Sequence, residues 1–186
     1  MSNKNLSEIF MAGPSITEHE IEMVGKAMSE GWYGKKAYHY VETFENEFAN
    51  YHDRKYGLMT PNCTTAIHLL LAGLDIKSGD EVIVPDCTWV GSVAGISYLG
   101  AKTVFADIDS KNWCLNANSI KDKITENTKA VIAVDLYGNM PDYDSIVKLC
   151  DEYNLLLIED AAEALGSTYK NIKAGKFGIG STFSFH

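Results

Sequence analysis

Apolar residues recur at helical spacing in the first part of the chain. Thr17 lies three residues before Glu20, which is the spacing of a capping box. Apolar residues then follow at helical intervals, at Ile21, Val24 and Met28. The pattern therefore predicts a helix that begins after Thr17 and ends at Gly31. A second series at the same spacing predicts another helix: Val41, Phe44, Phe48 and Tyr51.

Short apolar runs then alternate with helical patterns. The runs predicted to be strands are 57–59, 81–84, 103–106, 130–134 and 155–158. The predicted helices are 62–74, 89–99, 119–124 and 142–153, and Asn154 caps the last one. A strand-turn-strand with Lys170 and Asn171 at its turn follows, and a last strand covers 181–186. This order predicts one α/β domain, a three-layer sandwich with a mostly parallel sheet and right-handed crossovers.

Carboxylates follow one of the predicted strands abruptly. The continuous apolar run 155–158 is typical of a strand buried on both faces, and Glu159, Asp160 and Glu163 come directly after it. Ligands of open α/β sheets bind at the carboxyl ends of strands. The pattern therefore predicts that Asp160 contacts a ligand, with a helix N-cap as the alternative. On a helical turn, Asp160 and Glu163 would face the same way.

Two other strand-to-helix junctions carry candidate ligand groups. Asn62, Cys63, Thr64 and Thr65 open a predicted helix, whose first N–H groups and positive dipole end favour an anion. The alternative is a plain N-cap. Trp89 follows the next strand, where an indole can stack on a planar ring. A core or interface tryptophan is the alternative for that position.

The chain ends in an apolar, aromatic segment that carries Ser184, whose hydroxyl could reach a phosphate. By itself this serine is unremarkable. Natural termini are usually polar, so we expect the chain to be a fragment of a longer protein.

Composition limits the classes of function. The net charge of −9 argues against nucleic-acid binding. The four cysteines are scattered, which favours reduced thiols in a cytoplasm. We identify no signal peptide, no apolar stretch long enough to span a bilayer, and no histidine cluster for a metal. Asp107 and Asp109 form a D-x-D pattern like that of glycosyltransferases, which leaves a metal-dependent transfer of sugars as one alternative.

Taken together, the chain resembles the N-terminal half of the DegT/StrS family of sugar aminotransferases that depend on pyridoxal 5'-phosphate (PLP). These are fold-type I enzymes. The segments that carry the resemblance are 13–17, 29–32, 41–45, 62–68, 79–85, 136–139, 158–163 and 181–186. The resemblance implies that residues 1–186 form the N-terminal part of the large PLP-binding domain. The rest of that domain and a small C-terminal domain would lie outside this chain.

The resemblance also implies roles in binding the cofactor ring. Asp160 would pair with the pyridinium nitrogen and keep it protonated, so that the ring acts as an electron sink. Trp89 would stack on the ring face, and Glu163 would lie near the ring hydroxyl.

The resemblance also implies that the backbone around Cys63 and Thr64 and the hydroxyl of Ser184 bind the cofactor's phosphate. The catalytic Schiff-base lysine is expected three positions beyond His186. Two departures are visible in the sequence. Cys63 stands where many relatives carry glycine or alanine, and Asp135 stands where many carry histidine. The first is neutral if only the backbone N–H is used, and the second leaves the sugar contacts open.

The implied function is transfer of an amino group from L-glutamate to a nucleotide-linked keto sugar by ping-pong chemistry, in bacterial amino-sugar and surface-polysaccharide biosynthesis. The resemblance also implies a homodimer with the active site at the subunit interface. The dense aromatic residues between Trp32 and Tyr40 support it, because such residues are enriched at interfaces, and the alternative is that these rings cover the domain's own core. The alternatives are a PLP-dependent sugar dehydratase of the same family and a truncated, non-catalytic protein that binds PLP or a partner.

Overall fold

The computed structural model describes residues 15–31 and 33–185. These residues fall into two compact units, divided between Phe44 and Glu45. Trp32 and His186, both named in the sequence predictions, lie outside the described residues.

The N-terminal unit begins with the predicted capping box. Helix α1 covers Glu18–Glu30; the Thr17 side chain accepts the His19 N–H, and the Glu20 carboxylate accepts the Thr17 N–H at 2.6 Å. Gly31 ends the helix, as predicted. A short 3-10 helix follows at Gly34–Lys36. The division between the units falls within helix α2, which covers His39–Tyr51.

The second unit alternates helices and strands. Its helices are α3 (Cys63–Gly73), α4 (Gly91–Tyr98), α5 (Ala117–Lys121) and α6 (Tyr143–Tyr153), with a 3-10 turn at Leu136–Gly138. Its strands are β1 (Glu81–Pro85), β2 (Lys102–Ala106), β3 (Thr128–Val134), β4 (Leu156–Asp160), β5 (Thr168–Tyr169), β6 (Ile172–Lys173) and β7 (Gly180–Thr182).

The main sheet has five strands in the order β2-β1-β3-β4-β7, and every neighbouring pair is parallel. All five carboxyl ends therefore lie at one edge. The chain leaves β1 toward β2 on one side and continues with β3 on the other, which is the type of reversal where α/β sheets bind ligands. The small hairpin of β5 and β6 turns through Lys170 and Asn171, as predicted, and both have positive φ.

Two apolar clusters cover the two faces of this sheet. Alternate residues of β3 divide between them: Ile132 packs with Ile67 of α3 and Ile96 of α4, whereas Val131 packs with α5 and α6. Because side chains alternate across a strand, one continuous apolar run supplies both clusters. The second unit is therefore the predicted three-layer α/β sandwich.

One predicted strand is absent, and two strand boundaries differ from the predictions in ways that bear on function. Residues 57–59 form no strand, because no described strand supplies hydrogen bonds to them. Strand β4 extends to Asp160 and turns follow it, so the helix N-cap alternative for Asp160 was wrong. The last strand ends at Thr182, so Ser184 lies beyond it rather than within it.

Candidate active site

The Asp160 carboxylate is the centre of the site. It lies at the carboxyl end of β4 and only 3% of the residue is exposed. Ser92 donates its hydroxyl to Oδ2 at 2.7 Å, and the Ala162 N–H donates to Oδ1 at 3.2 Å. Burial nevertheless raises the pKa of Asp160, because desolvation outweighs these donors.

Asp160 takes part in none of the ion pairs among the described residues. An ionised carboxylate in such a buried position is costly unless a cation compensates it. The donors around it also favour its charged form, since each hydrogen bond is made to a carboxylate oxygen. The arrangement therefore fits a cationic ligand group placed against Asp160.

The first turn of α3 provides an anion site beside Asp160. The Asn62 side chain caps the helix by accepting the Thr65 N–H at 2.9 Å. Among the described residues, no hydrogen bond occupies the N–H groups of Cys63 and Thr64. The plain N-cap and the anion site are thus compatible, because the cap uses one N–H and leaves two available.

Cys63 contributes more than its backbone. Its Sγ lies 3.8 Å from Asp160 Oδ1, so this side chain contacts the central carboxylate. Burial and the nearby Asp160 carboxylate raise the pKa of the thiol to about 12. Cys63 is therefore a neutral, weak donor to Asp160, which a glycine or alanine could not be.

The first turns of α3 and α4 meet at Gly91. A Cβ placed on Gly91 would lie 2.7 Å from Thr64 Oγ1 and 2.9 Å from Trp89 Cδ1. A side chain at position 91 would therefore crowd both the Thr64 hydroxyl and the Trp89 indole, and glycine avoids this. Trp89 itself is 77% exposed, so the core alternative for this tryptophan was wrong. Its indole is free to stack on a ligand ring.

Glu163 and Ser184 lie in the segments after β4 and β7. The exposed Glu163 carboxylate accepts the Tyr137 N–H at 2.7 Å and so holds the loop after β3, where Tyr137 has a φ of 54°. Ser184 is half-buried. Strand β7 pairs with β4 and places Thr182 opposite Asp160, two residues before Ser184.

The Asp135 side chain is buried. It is 1% exposed and accepts the Tyr143 hydroxyl at 2.7 Å, within the layer that α6 forms. Burial, and next the charge of Glu159, raise the pKa of Asp135 to about 9, which favours its protonated form near neutral pH. Its own N–H donates to the Asp160 carbonyl at 3.0 Å. Asp135 thus supports the end of β4 from inside the protein.

Glu159 was missed by sequence reasoning, although it adjoins Asp160. It is fully buried on the opposite face of β4 and accepts the N–H groups of Gly175 and Phe177 at 2.7 and 2.9 Å. Arg54 donates to the carbonyls of the same loop, at 2.8 Å to Gly175 and 2.9 Å to Phe177. These two charges fix the loop that leads into β7 and Ser184.

The D-x-D pair lies apart from this arrangement. Asp107 lines an open cavity of about 390 Å³ near α5, whereas the Asp109 carboxylate accepts the Lys111 N–H. Across residues 15–31 and 33–185, no three His, Cys, Asp or Glu side chains gather closely enough to hold a metal. Nor does any helix in those ranges have the length and apolar character needed to cross a bilayer.

Comparison with known proteins agrees with this geometry. The DegT/DnrJ/EryC1/StrS aminotransferase family matches residues 14–186. The chain belongs to this family. Its relatives include GDP-perosamine synthases of Escherichia coli O157:H7, 44% identical, and of Vibrio cholerae, 42% identical. Each alignment covers 92% of this chain and 47% of the relative, so the chain spans about half the length of these curated relatives.

Solved structures of the family have the same fold. An aminotransferase from Psychrobacter cryohalolentis superposes with a TM-score of 0.86 at 36% identity, covering 95% of this chain and 45% of that one. The PLP form of the putative sugar aminotransferase Spr1654 from Streptococcus pneumoniae gives a TM-score of 0.87 at 31% identity, covering 96% of this chain and 49% of that one. The E. coli GDP-4-keto-6-deoxy-D-mannose-3-dehydratase with bound hydrated PLP gives 0.83 at 31%, covering 92% and 45%.

Proposed function

We propose that this chain is the N-terminal part of the PLP-binding domain of a sugar aminotransferase. The observation that carries the proposal is Asp160, a buried carboxylate that is surrounded by donors and has no described cation. A protonated pyridine nitrogen is a planar cation of the required kind. The solved structures of relatives with PLP support this choice of cofactor.

Different residues of this chain contact different parts of the cofactor in this proposal. Asp160 holds the ring nitrogen as a pyridinium, and Trp89 covers one face of the ring. The N–H groups of Cys63 and Thr64 receive the phosphate at the positive end of α3, together with the Ser184 hydroxyl. Glu163 lies near the ring hydroxyl. When bound, PLP supplies an electron sink for carbon next to the transferred nitrogen.

The proposed substrates are an amino donor and a nucleotide-linked keto sugar. L-Glutamate is the proposed donor. A GDP-linked sugar is the first acceptor to test, because GDP-perosamine synthases are 44% and 42% identical to this chain. The proposed reaction is ping-pong, with both half-reactions using one site, and it belongs to amino-sugar and surface-polysaccharide biosynthesis.

We further propose a homodimer located in the cytoplasm. In the N-terminal unit Tyr33 is 89% exposed and Tyr38 is 72% exposed, as expected of residues that pack against another subunit. The four cysteines are free, which fits a reducing compartment. Light scattering on the full-length protein tests the assembly, and a stable, active monomer would contradict it.

A sugar dehydratase is the second candidate, because the E. coli dehydratase named above has the same fold at 31% identity. One experiment separates the two. The full-length protein is incubated with PLP, L-glutamate and a series of nucleotide-linked keto sugars, with a GDP-linked one first, and products are identified by mass spectrometry. An amino sugar formed together with 2-oxoglutarate supports the aminotransferase. Loss of a sugar hydroxyl without nitrogen transfer supports the dehydratase, and no reaction with any nucleotide-linked keto sugar contradicts both.

A further inference from the structure

We propose that Thr88 and Ser92 form a two-hydroxyl chain that orients the Asp160 carboxylate toward the cofactor ring, with Ser92 as its positioning residue. The inference rests on the proposed function, since it concerns the same site. It adds two residues that sequence reasoning did not find.

Hydrogen bonds link Thr88, Ser92 and Asp160 in an unbroken series. Thr88 Oγ1 lies 2.9 Å from Ser92 Oγ, and Ser92 Oγ lies 2.7 Å from Asp160 Oδ2. The second distance is typical of a hydrogen bond to a charged oxygen. Ser92 is only 3% exposed, so little water competes for its hydroxyl. Thr88 is half-buried in the loop between β1 and α4.

The two hydrogen bonds of this hydroxyl chain have a fixed direction when Asp160 is ionised. A carboxylate only accepts, so Ser92 must donate its single proton to Asp160. The Ser92 oxygen is then left as the acceptor, and Thr88 must be the donor to it. Hydrogen bonds aligned in one direction strengthen each other. The chain therefore favours the ionised carboxylate and lowers the pKa of Asp160 against the opposing effect of burial.

The chain also fixes where the carboxylate points. Ser92 holds Oδ2, whereas Oδ1 receives the Ala162 N–H and the Cys63 thiol. Rotation of the Asp160 side chain would break contacts at both oxygens. Ser92 lies in the first turn of α4, one residue after Gly91, and both Thr64 and Trp89 lie close to Gly91. The same helix start therefore positions the carboxylate, the indole and the threonine hydroxyl.

The test uses the full-length protein with the variants Ser92→Ala, Thr88→Val and Ser97→Ala. Ser97→Ala is the matched control, because Ser97 is exposed on the same helix. Two ligands are titrated into each apo-protein: PLP, and its 1-deaza analogue, in which a C–H replaces the ring nitrogen. Thermal unfolding of each apo-variant checks that it folds.

Ser92→Ala removes one hydrogen bond to a charged group. We therefore expect it to weaken PLP binding by roughly ten- to a hundredfold. Thr88→Val should weaken it less, and Ser97→Ala should leave it unchanged. Binding of the 1-deaza analogue should be the same in all variants, because its ring has no nitrogen that can carry a positive charge opposite Asp160. With ¹⁵N-labelled PLP, the nitrogen shift of Ser92→Ala should move toward that of unprotonated pyridine.

Equal losses for PLP and the 1-deaza analogue would show that Ser92 merely supports the fold, and would overturn the inference. Unchanged PLP affinity and nitrogen shift in Ser92→Ala would overturn it as well. If wild-type protein binds neither ligand, the proposed function itself fails and this inference fails with it. The three outcomes are distinguishable within one set of titrations.

Discussion

Neutralising Asp160 should affect cofactor binding and apo-protein stability in opposite directions. The substitution Asp160→Asn keeps the shape of the side chain and removes its charge. The residue is 3% exposed, so solvent screens that charge very little. With PLP bound, the variant loses a buried ion pair with the pyridinium. Without PLP, it loses a buried carboxylate that no described cation compensates.

The magnitudes follow from these two states. Removing one partner of a buried ion pair costs about 3–5 kcal/mol. We therefore expect the Kd for PLP to rise by roughly two to three and a half orders of magnitude. For the apo-protein, the pKa of Asp160 is raised by burial. An acid with a raised folded-state pKa loses stability as the pH rises above its unfolded pKa, near 3.9. At pH 7.5 the apo-variant should therefore be at least as stable as the wild type.

The assay combines PLP titration with urea unfolding of the apo-protein, both on full-length protein. Asp151→Asn is the matched control, since it makes the same substitution at an exposed position of α6. We expect it to change neither quantity. Wild-type affinity for PLP in Asp160→Asn would refute the ion pair. A large loss of apo-stability would instead indicate that the Asp160 charge serves the fold.

Two further predictions concern the residues that support the site. In Asp135→Asn, the side chain no longer titrates, and its amide oxygen can still accept the Tyr143 hydroxyl. Because the pKa of Asp135 is raised to about 9, the free energy of unfolding of the wild type should fall as the pH rises from about 4 toward 9. Urea unfolding of the variant at several pH values should show a smaller fall. An equal dependence on pH in both proteins would contradict this. Gly178→Ala places a Cβ 2.2 Å from the Leu157 carbonyl oxygen at a φ of +66°, whereas Gly79→Ala has φ +97° and open space. We expect about 1 kcal/mol of destabilisation at Gly79 and at least about 2 kcal/mol more at Gly178; equal effects in thermal unfolding would refute the clash.

The sequence was sufficient for features that depend on local pattern. The apolar run before Asp160 predicted a buried strand and a ligand group at its end, because burial on both faces leaves a continuous apolar signature. Asn62 and the residues after it predicted the start of α3, because a helix cap depends only on neighbouring residues. The predicted strand at 57–59 failed because strand formation requires a neighbour, which a local pattern cannot reveal.

The supporting residues could not be predicted from local pattern. Ser92 and Asp160 are 68 positions apart in the chain, and only the pairing of strands brings their elements together. Asp135 directly follows the last residue of β3, Glu159 lies within β4, and both are buried. The sequence shows that these residues are acidic but not which way their side chains point. Their partners, Tyr143 and the loop at Gly175, come from other layers of the sandwich.

The central claim is that Asp160 holds the ring nitrogen of PLP. A crystal structure of the full-length protein with PLP tests it most directly. We predict a carboxylate oxygen of Asp160 within about 2.7–2.9 Å of the pyridine nitrogen, the distance of a charge-assisted hydrogen bond. We also predict the phosphate at the N–H groups of Cys63 and Thr64. A ring nitrogen that faces solvent or another side chain, with Asp160 still bonded only to protein donors, would contradict the account.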